Sequence, residues 1–226
     1  MASYPVIIDI VSDIVCPWCW FGKKHLDQAI EQNPELDVRI NWHPFMLDPT
    51  VPESGVPYTQ YMKQKFGDGP SDKFKSMRDH LEAGAGALGI RFRFDGIPMR
   101  PNTLKAHCLM KWAHGQRIAH QMSERLFKAF FDENRDVGDV NVLAEIAAEL
   151  GMDQELVKKL LRSGRDREIV QAELDYFRNL GISGVPFFIY NGQFSVQGGQ
   201  PYEVHDQALK KAIALPPKDV MSLLQN

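Results

Sequence analysis

The stretch Val6-Ile7-Ile8-Asp9-Ile10-Val11 is short, β-branched and apolar but for one carboxylate. That is the pattern of a strand buried on both faces. From Trp20 to Gln32 the apolar positions Leu26, Ala29 and Ile30 fall on one side of a helix,. Asn33-Pro34 ends it, because a residue before proline is pushed out of helical geometry. Val38, Ile40 and Trp42 then alternate with Arg39, Asn41 and His43, which predicts a second strand,. Strand, helix and strand within about forty residues make a βαβ unit with parallel pairing.

From about Pro57 to Asn179 the period is helical, with only Gly89 to Pro101 reading as an extended loop,. Asp139 is placed to cap a helix holding Val142, Leu143, Ile146, Ala147 and Leu150, with Gly151 at its end. Asp153 opens the next helix, and Gly181 closes the one carrying Val170, Leu174 and Phe177,. After Gly181 the pattern returns to β. Phe187 to Tyr190 and Gln193 to Val196 flank Asn191-Gly192, a hairpin signal because both positions tolerate positive φ,. Gly198-Gly199-Gln200-Pro201 leads into a last helix from Tyr202 to Ile213, with proline at its first turn,. The division this predicts is a discontinuous unit of residues 1–50 and 180–226 around a helical insertion of residues 51–179.

Composition narrows the chemistry. The chain has 226 residues, 44% hydrophobic and 24% charged, with a net charge of −3, which is ordinary for a globular protein. That charge argues against a nucleic-acid or anionic-membrane surface. No run approaches the ~18 apolar residues that cross a bilayer. The first fifteen residues lack a basic leader and are broken by Asp9 and Asp13, so they read as a strand instead of a signal peptide,. The expected compartment is the cytoplasm, where a structural disulfide is out of place.

Two of the three cysteines nevertheless stand three residues apart, in Cys16-Pro17-Trp18-Cys19. At a helix start, positions i and i+3 share one face, so the sulfurs can close a disulfide with little backbone movement. The free N–H groups and the dipole there favour a thiolate, and only a thiolate attacks a disulfide. Cys16, nearer the end and expected to be exposed, is the predicted attacker, and Cys19 the resolving thiol. Pro17 suits the first turn because it has no N–H to lose. Zinc would need four ligands. Only Cys108 remains, and none of the seven histidines forms a paired ligand motif, so no metal is expected. A CxxC opening the helix of a βαβ unit reads as thioredoxin-like redox chemistry.

Several other signals carry less. Gly84 to Gly89 matches a dinucleotide fingerprint in letters, but it follows the helical run of Phe74, Met77 and Leu81 and reads as a helix end,. Cys108 lies among Leu104, Leu109 and Trp112 as core,. Asp9, buried, needs a partner or a raised pKa; it is either a proton acceptor for Cys19 or a satisfied structural group. Trp18, Trp20 and Phe21 form an apolar collar, or the latter two belong to the core. Phe127, Phe130 and Phe131 line either a dimer face or the insertion's own core.

With Gly181-Ile182-Ser183-Gly184-Val185-Pro186-Phe187-Phe188, the Cys-Pro-Trp-Cys motif, Arg100-Pro101-Asn102-Thr103 with Ala106-His107, and the stretch from Phe131 to Gly138, nearly the whole chain resembles the DsbA-like thioredoxin superfamily. Within it the likeness is to the cytoplasmic FrnE-like branch. The resemblance implies an α/β thioredoxin fold with a large all-helical insertion. It also implies a cis Pro186 facing the cysteines, with the Val185 backbone free to pair with an extended substrate. The extra C-terminal cysteine pair of some FrnE-like proteins is missing.

A sister branch, the hydroxychromene-carboxylate isomerases and kappa-class glutathione transferases, typically has serine where Cys16 stands. Its likeness around Asn102-Thr103 implies a glutathione site as co-substrate, with no tightly bound cofactor. Asn102 would border that site, and Gly199 and Gln200 would receive the γ-glutamyl carboxylate at the last helix; His107, which the likeness puts near the domain interface, is either a substrate-site residue or a hydrogen-bonded packing residue. The expected function is thiol–disulfide exchange on a protein or glutathione, by a monomer or homodimer. The alternatives are a glutathione-dependent isomerase or transferase and a non-catalytic peptide-binding module.

Overall fold

The structure is a computed structural model describing residues 4–67 and 72–220. Residues 1–3, 68–71 and 221–226, which the sequence-based division includes, lie outside the described residues.

Strand β1 (Val6–Ser12) has every residue but Ile7 buried, as a strand with neighbours on both edges requires. Helix α1 (Pro17–Glu31) crosses to β2 (Val38–Pro44), which runs parallel to β1. On the other edge β5 (Phe187–Tyr190) is antiparallel, with Phe188 opposite Ile10. A final strand, β6 (Phe194–Gln197), completes the order β2-β1-β5-β6. Helix α9 (Tyr202–Ala212) packs against α1. Gly22 lets α1 approach closely: a Cβ there would lie 3.1 Å from the Phe188 ring and 3.3 Å from Gly199 Cα.

Between β2 and β5 stand α2 (Tyr58–Phe66), α3 (Asp72–Ala85), α4 (Leu104–Gly115), α5 (Ala119–Phe131), α6 (Val140–Glu149), α7 (Gln154–Ser163) and α8 (Arg167–Asn179). The Asp139 carboxylate accepts from the Asn141 and Val142 amides, and Asp153 from the Leu156 amide. Phe127, Phe130 and Phe131 are fully buried core residues. The architecture is the α/β thioredoxin fold with a large helical insertion. Among the described residues no helix is long and apolar enough to cross a membrane.

The insertion is not all-helical. β3 (Val56–Pro57) and β4 (Met99–Arg100) form a two-residue antiparallel ladder, and Phe94–Gly96 is a 3-10 turn inside the expected loop. A two-residue ladder is too short to leave a period in the sequence. The last strand also starts one residue later than predicted. Asn191 (φ 50°) and Gly192 (φ 62°) form the turn, and the Gln193 amide donates to Tyr190 O at 2.9 Å. Tyr190 nevertheless pairs with Phe194, so Gln193 is an extra residue and leaves the ladder. Pro201 is the N-cap of α9 and not a first-turn residue.

Asp9 is a satisfied structural group. Its Oδ1 accepts from Asn41 Nδ2 at 3.0 Å and lies 2.8 Å from His43 Nε2, while His43 Nδ1 is 2.7 Å from Glu173 on α8. Burial lowers the His43 pKa, but hydrogen bonds and charge from Asp9 and Glu173 outweigh it and hold the imidazole above its ordinary value. A raised folded pKa adds stability that is complete below the unfolded value near 6.5 and is lost as pH climbs through the folded value,. The urea midpoint of the wild type should therefore fall from pH 6 to pH 8.5 relative to His43→Gln. Parallel profiles for the two proteins would contradict this.

Candidate active site

β1 ends at Ser12, and Asp13 to Val15 turn the chain into α1. Cys16 is the N-cap of α1, with extended backbone (φ −95°, ψ 112°), and Pro17 begins the helix. The turn is fixed by main-chain bonds: the Cys16 amide donates to Asp13 O at 3.0 Å, and the Cys19 amide to Cys16 O at 3.0 Å. The Cys16 sulfur lies at the helix N-terminus and makes no capping hydrogen bond with the first-turn amides.

The Cys16 Sγ donates to Val185 O at 3.6 Å, and the Val185–Pro186 peptide is cis. Cys16 is 3% exposed and Cys19 2%. The expectation of an exposed attacking sulfur is thus corrected, because the Val185 carbonyl and its surroundings cover it. All three cysteines are free thiols. Burial and the neighbouring Cys16 push the Cys19 pKa well above its ordinary value, against a lowering influence from the Ser12 hydroxyl and the Asp13 amide. Cys108 is buried and pushed up to about 11, chiefly by desolvation.

The surrounding residues divide. Pro17 and Trp18 are half-buried beside the cysteines, and the Trp18 ring sits 5.5 Å from His80 and 5.9 Å from Phe21. A Cβ on Gly199 would come within 3.0 Å of the Trp18 ring, so the glycine allows this approach. Trp20 and Phe21 are core, with Trp20 stacked on Phe127 and Phe131. The structure therefore gathers Cys16, Cys19, Pro17, Trp18, Val185, Pro186 and Gly199.

The remaining sequence-predicted residues are occupied by structural bonds. Gln200 donates to Gln197 O at 2.9 Å. Asn102 uses both ends of its amide, donating to Val51 O at 2.8 Å and accepting from the Leu104 amide at 3.0 Å. His107 is buried, with Nε2 2.9 Å from Phe45 O. His107 also approaches Asp13, at 3.7 Å from its Oδ1.

Asp13 and Ser12 carry parts of this site that the sequence reasoning missed. Asp13 is fully buried; its Oδ2 accepts from the Leu47 amide at 2.9 Å and lies 3.8 Å from an Arg100 guanidinium nitrogen. A carboxylate just ahead of a CxxC motif was the available signal, but its partners are far away in sequence. The buried Ser12 hydroxyl closes no hydrogen bond, acting on the Cys19 thiol from beyond hydrogen-bond distance, and borders a cavity of about 320 Å³ shared with His43, His107 and Glu173. Among the described residues no cluster of three or more His, Cys, Asp or Glu side chains is placed to hold a metal.

Ser12→Ala removes a group that favours the Cys19 thiolate. With a chromogenic thiol disulfide-bonded to Cys16, its release by Cys19 should slow about threefold to tenfold. In both proteins the rate should rise about tenfold per pH unit between pH 7 and 9, because the attacking thiol stays below its pKa. A release rate independent of pH would contradict the high Cys19 pKa.

Comparisons with known proteins bear on the family and the fold. The DSBA-like thioredoxin domain family matches residues 7–210. The uncharacterized protein YwbO of Bacillus subtilis (strain 168) is 27% identical over 205 residues, covering 90% of this chain and 96% of YwbO. The crystal structure of the probable DsbA oxidoreductase SCO1869 from Streptomyces coelicolor superposes with a TM-score of 0.83 at 29% identity, over 95% of this chain and 92% of that one. The cytosolic disulfide reductase DsbM from Pseudomonas aeruginosa, solved with glutathione, shares the fold at a TM-score of 0.62 and 19% identity, over 92% and 100% of the two chains. The chain belongs to the DSBA-like thioredoxin domain family.

Proposed function

We propose that this protein is a thiol–disulfide oxidoreductase acting through Cys16 and Cys19. The observation that carries the reading is the asymmetry of the pair. Cys16 caps the N-terminus of α1 against the Val185 carbonyl, while the fully buried Cys19 is kept as a thiol. In the reducing direction the Cys16 thiolate attacks one sulfur of a substrate disulfide. A Cys16–substrate bond forms, and the other substrate sulfur leaves as a thiolate and takes up a proton. Cys19 then gives up its proton and attacks the Cys16 sulfur, releasing the second substrate thiol. The substrate gains two electrons and Cys16–Cys19 becomes a disulfide; the oxidising direction is the reverse.

The Val185 backbone beside Cys16 supports an extended peptide as substrate, added as a strand. Residues 51–179 act as a helical domain that caps the cleft formed by the rest of the chain. The cysteine usage supports a cytoplasmic place of action. Glutathione as co-substrate is a second reading, favoured by its presence in the DsbM structure. The retention of both cysteines favours exchange over a glutathione-dependent isomerase or transferase.

Three variants separate the readings in an assay of insulin reduction or dithiol-peptide oxidation. Cys16→Ser should fall to background. Cys19→Ser should also lose turnover while accumulating a substrate mixed disulfide on Cys16, visible by mass spectrometry. Full glutathione-dependent activity in Cys19→Ser would instead support the isomerase or transferase reading. Peptide capture by the double Cys16→Ser, Cys19→Ser variant, with no turnover in the wild type, would support a binding module.

A further inference from the structure

We infer that the Asp13 carboxylate and the Arg100 guanidinium, with His107 beside them, form a buried cluster that sets the thiolate–disulfide balance of the Cys16–Cys19 pair, and that the insertion supplies both partners of Asp13. The inference rests on the exchange reading above. It extends that reading to residues that touch neither substrate nor sulfur with their side chains.

The main chain of Asp13 is part of the active turn. Its carbonyl holds the Cys16 amide at 3.0 Å, and its own amide acts on the Cys19 thiol. Its carboxylate is 0% exposed, so a full negative charge sits three residues ahead of the attacking cysteine without solvent. At low dielectric such a charge is felt far more strongly than at the surface. One oxygen accepts from the Leu47 amide, while Oδ1 has no hydrogen-bond partner. The carboxyl is held below its ordinary range: burial opposes ionisation, but His107, the Arg100 guanidinium and the Leu47 amide outweigh it.

The two partners of Asp13 are held by other bonds. Arg100 is buried, donates to Pro101 O at 3.0 Å and lies 5.2 Å from the centre of the Tyr61 ring. His107 is anchored on Phe45 O. Both stay 3.7 to 3.8 Å from the carboxylate, where the guanidinium balances its charge and the imidazole supplies a polar neighbour, without closing a hydrogen bond. Arg100 comes from β4 and His107 from α4, so the electrostatics of the Cys16 turn depend on how the insertion seats against β1.

The sign follows. Without Arg100 the Asp13 charge is less balanced and opposes a second anion on Cys16. The thiolate is disfavoured and the disulfide gains relative to the reduced pair. Without the Asp13 charge, Arg100 favours the thiolate and the disulfide loses. Asp13, Arg100 and His107 are positioning residues, since each acts through the turn.

The test measures the Cys16 pKa from thiolate absorbance in a Cys19→Ser, Cys108→Ser background, and the Cys16–Cys19 equilibrium with glutathione in the intact chain. Arg100→Gln should raise the Cys16 pKa and favour the disulfide by about tenfold, a potential about 30 mV more negative. Asp13→Asn should move both quantities the opposite way, and the double variant should return toward wild type. Arg100→Lys, which keeps the charge, should stay within about threefold of wild type and carries the comparison with Arg100→Gln if Asp13→Asn does not fold. Shifts of the same sign in Asp13→Asn and Arg100→Gln, or equal effects of Gln and Lys at position 100, would overturn the inference. The pKa measurement needs no exchange activity. Opposite shifts in pKa without a Cys16–Cys19 disulfide would therefore leave the cluster standing and reject the exchange reading.

Discussion

The turn from Ser12 to Cys16 has to satisfy three demands at once, and much of the molecule is arranged around it. β1 is paired on both edges, so it can end only where its neighbours allow. The helix that follows must present its N-terminus, and therefore Cys16, to the carbonyl of Val185 arriving from the far end of the chain. Between them stands Asp13, whose main chain touches the cysteine turn and whose side chain is sealed from water. A buried carboxylate without compensation costs several kcal/mol, so the loop after β2 and the start of the insertion must close over it.

A second buried charge chain, Asp9–His43–Glu173, joins the first two strands to α8. One chain leaves from within β1 and the other from the turn after it, and each reaches a helix of the insertion. Neither is a strong source of net stability, since desolvation offsets much of the attraction in such pairs. Their effect is positional. A displaced helix would leave a buried charge exposed to an apolar wall, which ties the seating of the insertion to the geometry at the cysteines. On this account the insertion does more than cover the cleft, because it carries the Arg100 counter-charge for the turn on which the exchange chemistry depends.

Local signals carried far in the sequence. The βαβ start, the Asp139 and Asp153 caps, the Asn191-Gly192 turn and the cysteine pair at a helix start each rest on residues within a few positions of one another. What stayed hidden depends on distance along the chain. Asp13 meets Arg100 and His107 across about ninety residues, and nothing in a propensity or a period links them. The likeness around Arg100 and His107 pointed to that segment, but as a border of a ligand site and not as a partner for Asp13. Asn102 was expected to meet ligand and instead shapes the start of α4. Cys16 was expected to be exposed because the sequence says nothing of what covers a helix end. The hydroxyl that acts on Cys19 is that of Ser12, three residues further along β1 than the Asp9 first considered.

The central claim is that Cys16 and Cys19 are one reversible two-electron couple. It is tested most directly by equilibrating the purified protein in glutathione buffers of graded ratio, quenching with acid, and measuring the Cys16–Cys19 disulfide by peptide mass spectrometry. The account predicts a single transition that follows the square of reduced over oxidised glutathione, about 30 mV per tenfold change in the equilibrium constant, with Cys108 unmodified throughout. A fraction that instead follows the first power of reduced glutathione, as a stable glutathione adduct on Cys16 with no intramolecular disulfide, would contradict it.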